Sequence, residues 1–104
     1  MVHVTDDIPP GFTGETTETF SDGRRSAEGS YLDGLKHGQW ISYNRAGGIR
    51  GIGDFVAGEM DGPWEWFRED GSLMRSGHFT AGVQSGEWIT WTASGEAATR
   101  KTFS

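Results

Sequence analysis

From about residue 13 onward, large apolar residues alternate with small or polar ones in short stretches, and each stretch ends at glycine or a glycine-containing pair. A period of two is the mark of strands whose side chains point alternately up and down. Asp22-Gly23 and Asp70-Gly71 are strong hairpin dipeptides. The pattern predicts strands at about 14–20, 24–32, 39–44, 49–56, 63–68, 73–80, 87–92 and 97–103, an antiparallel meander of eight. Glycine recurs too often for a helix of about 11–12 residues to sit comfortably between two of them. In 96–104, Glu96-Ala-Ala-Thr-Arg-Lys has the propensity to start a capping helix. Phe103 falls in phase with the rings upstream, so this segment too is read as a strand.

A shift of 24 positions superposes the chain on itself. Gly29, Gly53 and Gly77 coincide, as do Tyr31, Phe55, Phe79 and Phe103. Trp40, Trp64 and Trp88 form a third column and Tyr43, Phe67 and Trp91 a fourth, with further glycines at 34/58/82, 38/62/86 and 23/47/71/95. Units at 29–52, 53–76 and 77–100 follow a degenerate one at 14–28, where Thr16 and Thr19 replace rings. Two strands per unit at ~4.8 Å spacing give a sheet ~35–40 Å long. Gly29, Gly53 and Gly77 sit two residues before a ring and share its face. A glycine inside a strand weakens it unless the missing side chain is used. The expected use is a tryptophan of the next strand (40, 64 or 88) lying flat on the glycine, the alternative being a bulge that bends each unit. Gly34/Gly38, Gly58/Gly62 and Gly82/Gly86 are read as turn glycines.

The run Tyr31-Leu-Asp-Gly34-Leu-Lys-His-Gly38-Gln-Trp40-Ile-Ser-Tyr43, repeated from Phe55 to Phe67 and from Phe79 to Trp91, resembles the bacterial variant of the MORN repeat. The resemblance covers 29–95 firmly and 14–28 weakly. It implies a single-layer sheet of stacked hairpins, no catalysis, and service as an interaction module; some proteins of this variant are catalogued as antitoxins or immunity proteins that neutralise a toxin. The expected organisation is one repeat domain at 13–104 behind a loose lead-in, 1–12, that contains Pro9-Pro10.

Composition adds constraints. The chain has 104 residues, 17 glycines, five tryptophans, six phenylalanines and two tyrosines, so its packing rests on aromatic plates. With no cysteine there are no disulfides, thiolate nucleophiles or Cys-based zinc sites. No apolar run reaches the ~20 residues of a membrane helix, and the N-terminus lacks a signal-peptide pattern, so a cytoplasmic location is expected. A net charge of −6 opposes nucleic acid and anionic lipid and favours a basic protein partner. His3, His37 and His78 do not recur in phase, and Gly47-Gly48-Ile-Arg-Gly51-Ile-Gly53 lacks the features of a phosphate cradle. No catalytic residue, metal site or cofactor is expected.

Columns that repeat report architecture, so function is sought where one unit departs from its siblings. Trp66 stands where the others have Ser42 and Thr90, Glu65 replaces Ile41 and Ile89, and Met60 stands in a turn beside Glu59 and Asp61. An exposed Trp and Met rimmed by acids would form a binding hot spot. Alternatively, Trp66 fills space between the ladder rings. A second functional class is self-assembly through the open terminal strands of the meander.

Overall fold

The computed structural model describes residues 10–103; residues 1–9, most of the expected lead-in, lie outside the described residues. Eight strands follow one another: β1 (Gly14–Thr19), β2 (Arg25–Leu32), β3 (Leu35–Tyr43), β4 (Ile49–Val56), β5 (Glu59–Phe67), β6 (Leu73–Thr80), β7 (Val83–Trp91) and β8 (Ala97–Phe103). They form one open sheet in chain order, each strand antiparallel to the next, with no helix among the described residues. The all-β meander is as the alternation predicts, and 97–103 is a strand. The molecule measures 42 × 32 × 18 Å, the proportions of a single layer carrying side chains on both faces.

Two kinds of turn alternate along it. After β1, β3, β5 and β7, the N–H of Gly23, Gly47, Gly71 and Gly95 donates to the carbonyl three residues back at 2.9–3.0 Å. These glycines hold φ between 89° and 97°, giving a hairpin loop that ends in a left-handed residue. After β2, β4 and β6 the loop has only two residues, both left-handed: Asp33-Gly34 (φ 52° and 84°), Ala57-Gly58 (51° and 85°) and Ala81-Gly82 (48° and 84°). Their glycine amides donate to the carbonyls of Phe12, Lys36 and Met60 at 2.8–2.9 Å, so the first tight turn is hooked onto the chain just ahead of β1 and the other two onto the starts of β3 and β5.

These short turns correct three predicted boundaries. Strands β3, β5 and β7 begin at 35, 59 and 83 rather than 39, 63 and 87. Gly38, Gly62 and Gly86 are not turn residues: at φ 81°, 79° and 67° they open bulges inside the strands. On β5 the register passes from Asp54↔Asp61 to Gly53↔Trp64, so Gly62 and Pro63 are two residues extra, and Gly38-Gln39 and Gly86-Glu87 repeat the step. A bulge glycine and a turn glycine use the same left-handed backbone, which is why the sequence pattern merges them. Met60, with Glu59 and Asp61, accordingly lies in strand β5 and not in a turn.

Each bulge faces a strand glycine. The indoles of Trp40, Trp64 and Trp88 lie directly on Gly29, Gly53 and Gly77, where an added Cβ would fall inside the ring. Their Nε1 atoms donate to the carbonyls of Ser30 (2.9 Å), Asp54 (3.0 Å) and His78 (3.2 Å), so the polar edge of each buried ring is satisfied where the ladder is interrupted. The two expected explanations of the strand glycine, a ring laid on it and a bulge, are thus parts of one joint. All three tryptophans are buried, at 3–5% exposure.

Two substitutions test this account by urea or thermal unfolding. Gly53→Val, which favours strand by propensity, should cost at least ~2 kcal/mol because the indole has nowhere to move. Ala57→Asn should add ~0.5–1 kcal/mol, since Asn tolerates the left-handed conformation that strains Ala.

Candidate functional site

One face of the sheet carries a continuous ladder of rings. Phe12, Tyr31, Trp40, Phe55, Trp64, Phe79, Trp88 and Phe103 meet in order, edge to face, with centroids 5.1–6.3 Å apart and interplanar angles of 62–88°. Such contacts contribute ~0.5–1.5 kcal/mol each beyond the area they bury. Trp66 is part of this ladder. It stacks between Trp64 (5.8 Å, 25°) and Trp88 (5.6 Å, 26°) and covers Gly51. Cations lie over the rings: Lys36 over Trp40 (4.6 Å) and Phe55 (5.2 Å), Arg75 over Trp88 (4.8 Å) and Trp66 (5.7 Å), Lys101 over Phe103 (5.1 Å). The ring face is therefore internally satisfied and capped by positive charge.

The opposite face has a different character. The register pairs Glu28 with Ile41, Ile52 with Ile41 and Glu65, Ser76 with Glu65 and Ile89, and Asp54 with Gln39, all pointing away from the rings. Half-buried isoleucines floor two adjoining shallow grooves, with Glu15 and Glu28 along one and Asp54, Glu65 and Glu87 along the other. Where the strands meet the tight turns, alternation puts Leu32, Leu35, Val56 and Val83 on this same face. They are 46%, 48%, 49% and 67% exposed, an aliphatic row along one margin of an acidic surface.

At the other margin the column of Tyr43, Phe67 and Trp91 packs with partners matched to its chemistry. The Tyr43 hydroxyl donates to Glu28 at 2.9 Å and the Trp91 indole to Ser76 at 3.2 Å; in the middle unit the ring is Phe67, which has no donor, and the position of Glu28 and Ser76 is held by Ile52. Arg25 lies 4.5 Å from the Tyr43 centroid and 3.0 Å from Glu28. Burial, the hydrogen bond to Glu28 and that carboxylate's charge raise the Tyr43 hydroxyl above its ordinary pKa, against the opposing effect of Arg25. At the hairpin tip, hydrogen bonds from the Ser72 amide and hydroxyl (2.9 and 2.7 Å) lower the Asp70 carboxyl.

The residues marked by departure from the repeat are not gathered into one patch. Trp66 and Met60 point to the ring face, opposite Gly51 and Phe55, whereas Glu59 and Glu65 point to the acidic face, opposite Val56 and Ile52. Asp61 accepts a hydrogen bond from the Ala81 amide at 3.0 Å and so braces the neighbouring turn. Of the two readings of Trp66, the geometry places it among the ladder rings, half-buried. Two rings outside the repeat columns complete the packing: Phe12 ends the ladder against Tyr31, and Phe20 is buried at a hairpin turn under Arg45. The signal for the acidic face and its aliphatic row was period-two alternation applied to charge as well as to rings.

Among the described residues no group of three His, Asp or Glu side chains converges in a way that would hold a metal ion. No family model matches the chain, and no curated protein matches it. Among solved structures it is similar to one described as "Crystal structure of GtfA/B complex bound to UDP and GlcNAc", at 12% identity and a TM-score of 0.48. The match covers 93% of this chain and 25% of that one, so this chain spans about a quarter of that protein's length.

Trp66→Ser, although it restores the residue at position 42, should cost ~2–3 kcal/mol in a denaturant titration because it removes a ring held between two others. Tyr43→Phe should cost ~1 kcal/mol at neutral pH. A raised pKa means that this group's stabilisation is complete below the unfolded value of ~10 and is lost as pH rises through the folded one, so unfolding curves of Tyr43→Phe should decline less steeply above pH ~10 than those of the parent.

Proposed function

We propose that the chain is a non-catalytic protein-binding module whose acidic face receives a basic partner. The observation that carries this reading is the row Leu32, Leu35, Val56 and Val83, 46–67% exposed, beside Glu28, Asp54, Glu65 and Glu87 on one side of the sheet. Aliphatic side chains left in water next to a mainly acidic surface, on which Arg25 and Arg100 pair with Glu28 and Glu87 while Asp54 and Glu65 have no basic side chain bonded to them among the described residues, suit a partner that covers the former and neutralises the latter. The ring face offers less, because its aromatic surface is already occupied by its own rings and by Lys36, Arg75 and Lys101. A toxin neutralised in the manner of an antitoxin or immunity protein is one partner of this kind, and the MORN-variant resemblance of 29–95 supports it.

The test is to capture partners from native cells with the parent chain and measure the recovered protein against two variants by calorimetry. Glu65→Lys with Glu87→Lys should weaken binding at least tenfold (~1.4 kcal/mol) while leaving stability within ~1 kcal/mol, since both side chains are exposed. Arg75→Gln on the ring face should leave affinity unchanged. Equal loss from both variants, or loss from Arg75→Gln alone, refutes the assignment of the acidic face.

A further inference from the structure

Among the described residues β1 and β8 are the terminal strands of the sheet, and each pairs with a neighbour on one side alone. By the repeat, β8 is in phase with β2, β4 and β6, and β1 with β3, β5 and β7. A second copy placed with its β1 alongside β8 would therefore continue the meander. Carrying the β6–β7 register forward sets Thr99 opposite Glu18, Arg100 opposite Thr17 and Phe103 opposite Phe12 of the next copy. Phe12 and Phe103 are the two terminal rings of the ladder, so this register joins two ladders end to end.

The same register makes sense of two departures from the repeat. Every joint between an even strand and the following odd strand sets glycine under tryptophan: Gly29 with Trp40, Gly53 with Trp64, Gly77 with Trp88. In the next joint the glycine position is Lys101 and the tryptophan position is Thr16. A lysine there would collide with an indole, and it meets the small member of the tryptophan column instead. The long and small side chains have exchanged strands. Charge agrees: β1 carries Glu15, with Glu18 buried and already engaged in its own chain, and no base, whereas β8 carries Arg100 and Lys101 and no acid. Arg100 bonds Glu87 within its own chain at 3.2 Å, on the face where it would lie diagonal to the incoming Glu15.

We infer that a second copy of this chain docks its β1 edge on β8, head to tail, in the register that sets Lys101 against Thr16 and Phe103 against Phe12. The contact is heterologous and does not close on itself, so it builds open ribbons of increasing length. This is independent of the acidic face, which both copies keep free.

Light scattering and sedimentation of the full chain from micromolar to millimolar concentration provide the test. The mean mass should rise with concentration, through elongated species. Thr16→Trp should weaken association at least about tenfold by setting an indole against Lys101, and Lys101→Gly added to it should restore association by rebuilding the interior joint. Each single variant, shown folded by circular dichroism, should also pair with the other on mixing, because one supplies the edge that the other lacks. A monomer at every concentration, or association that Thr16→Trp leaves unchanged, overturns the inference. Should Thr16→Trp fail to fold, Glu15→Lys and Arg100→Glu, each weakening association and together restoring it, decide the same question.

Discussion

Everything in this sheet depends on an indole lying on a glycine. A single layer has no second sheet or helix to cover it, so its apolar surface must be buried by side chains that lie down along the strands. An upright tryptophan would leave both its faces in water. Removing the Cβ at Gly29, Gly53 and Gly77 lets Trp40, Trp64 and Trp88 press one face on the backbone, and the rings of the neighbouring columns close on their edges. The bulge at Gly38, Gly62 and Gly86 belongs to the same requirement: it interrupts the ladder beside a carbonyl that the indole N–H then reaches. Ring, glycine and bulge are one device, repeated three times.

Because the device repeats every 24 residues, most of the fold is legible in the sequence. Strand number, antiparallel order, the strand assignment of 97–103 and the laying of tryptophan on glycine all follow from columns in phase. Two things were not legible, each for a definite reason. Gly38 and Gly34 share positive φ, so the sequence alone does not separate a bulge from a turn, and the alternation starts β3, β5 and β7 four residues late. Phe12 and Phe20 stand outside the repeat columns, so no periodic signal pointed to them, although one ends the ladder and the other is buried.

The candidate site shows the opposite balance. Departures from the repeat did find residues unlike their siblings, but departure does not report direction. Glu65 and Trp66 are neighbours in sequence and lie on opposite faces, so a patch assembled from both is divided by the sheet itself. Charge taken face by face gives the more useful pattern: Lys36, Arg75 and Lys101 lie above the rings, with the buried Glu18 near Tyr31, and Glu28, Asp54, Glu65 and Glu87 lie beneath, with Arg25 and Arg100 paired to two of them. A cation over a ring stabilises the face whose aromatic surface holds the layer together, and most of the acids lie on the other face, away from those cations.

That division also follows from how a thin sheet must distribute its work. The face that carries the ladder is constrained at almost every position, since a change in one ring is passed to two neighbours through edge contacts. The other face is held by the ladder hydrogen bonds of the strands and by local pairs such as Tyr43 with Glu28, so Glu59, Glu65 or Val83 can vary without disturbing the joints. Sequence freedom and solvent exposure thus coincide on the acidic side. The terminal strands have a third kind of constraint: Thr16 and Lys101 release the ends from the ring-on-glycine pairing, and what they leave is a pair of edges differing in charge and size in complementary senses. The ring-on-glycine joints thus constrain one face fully, leave the other free of that requirement, and stop at the two terminal strands.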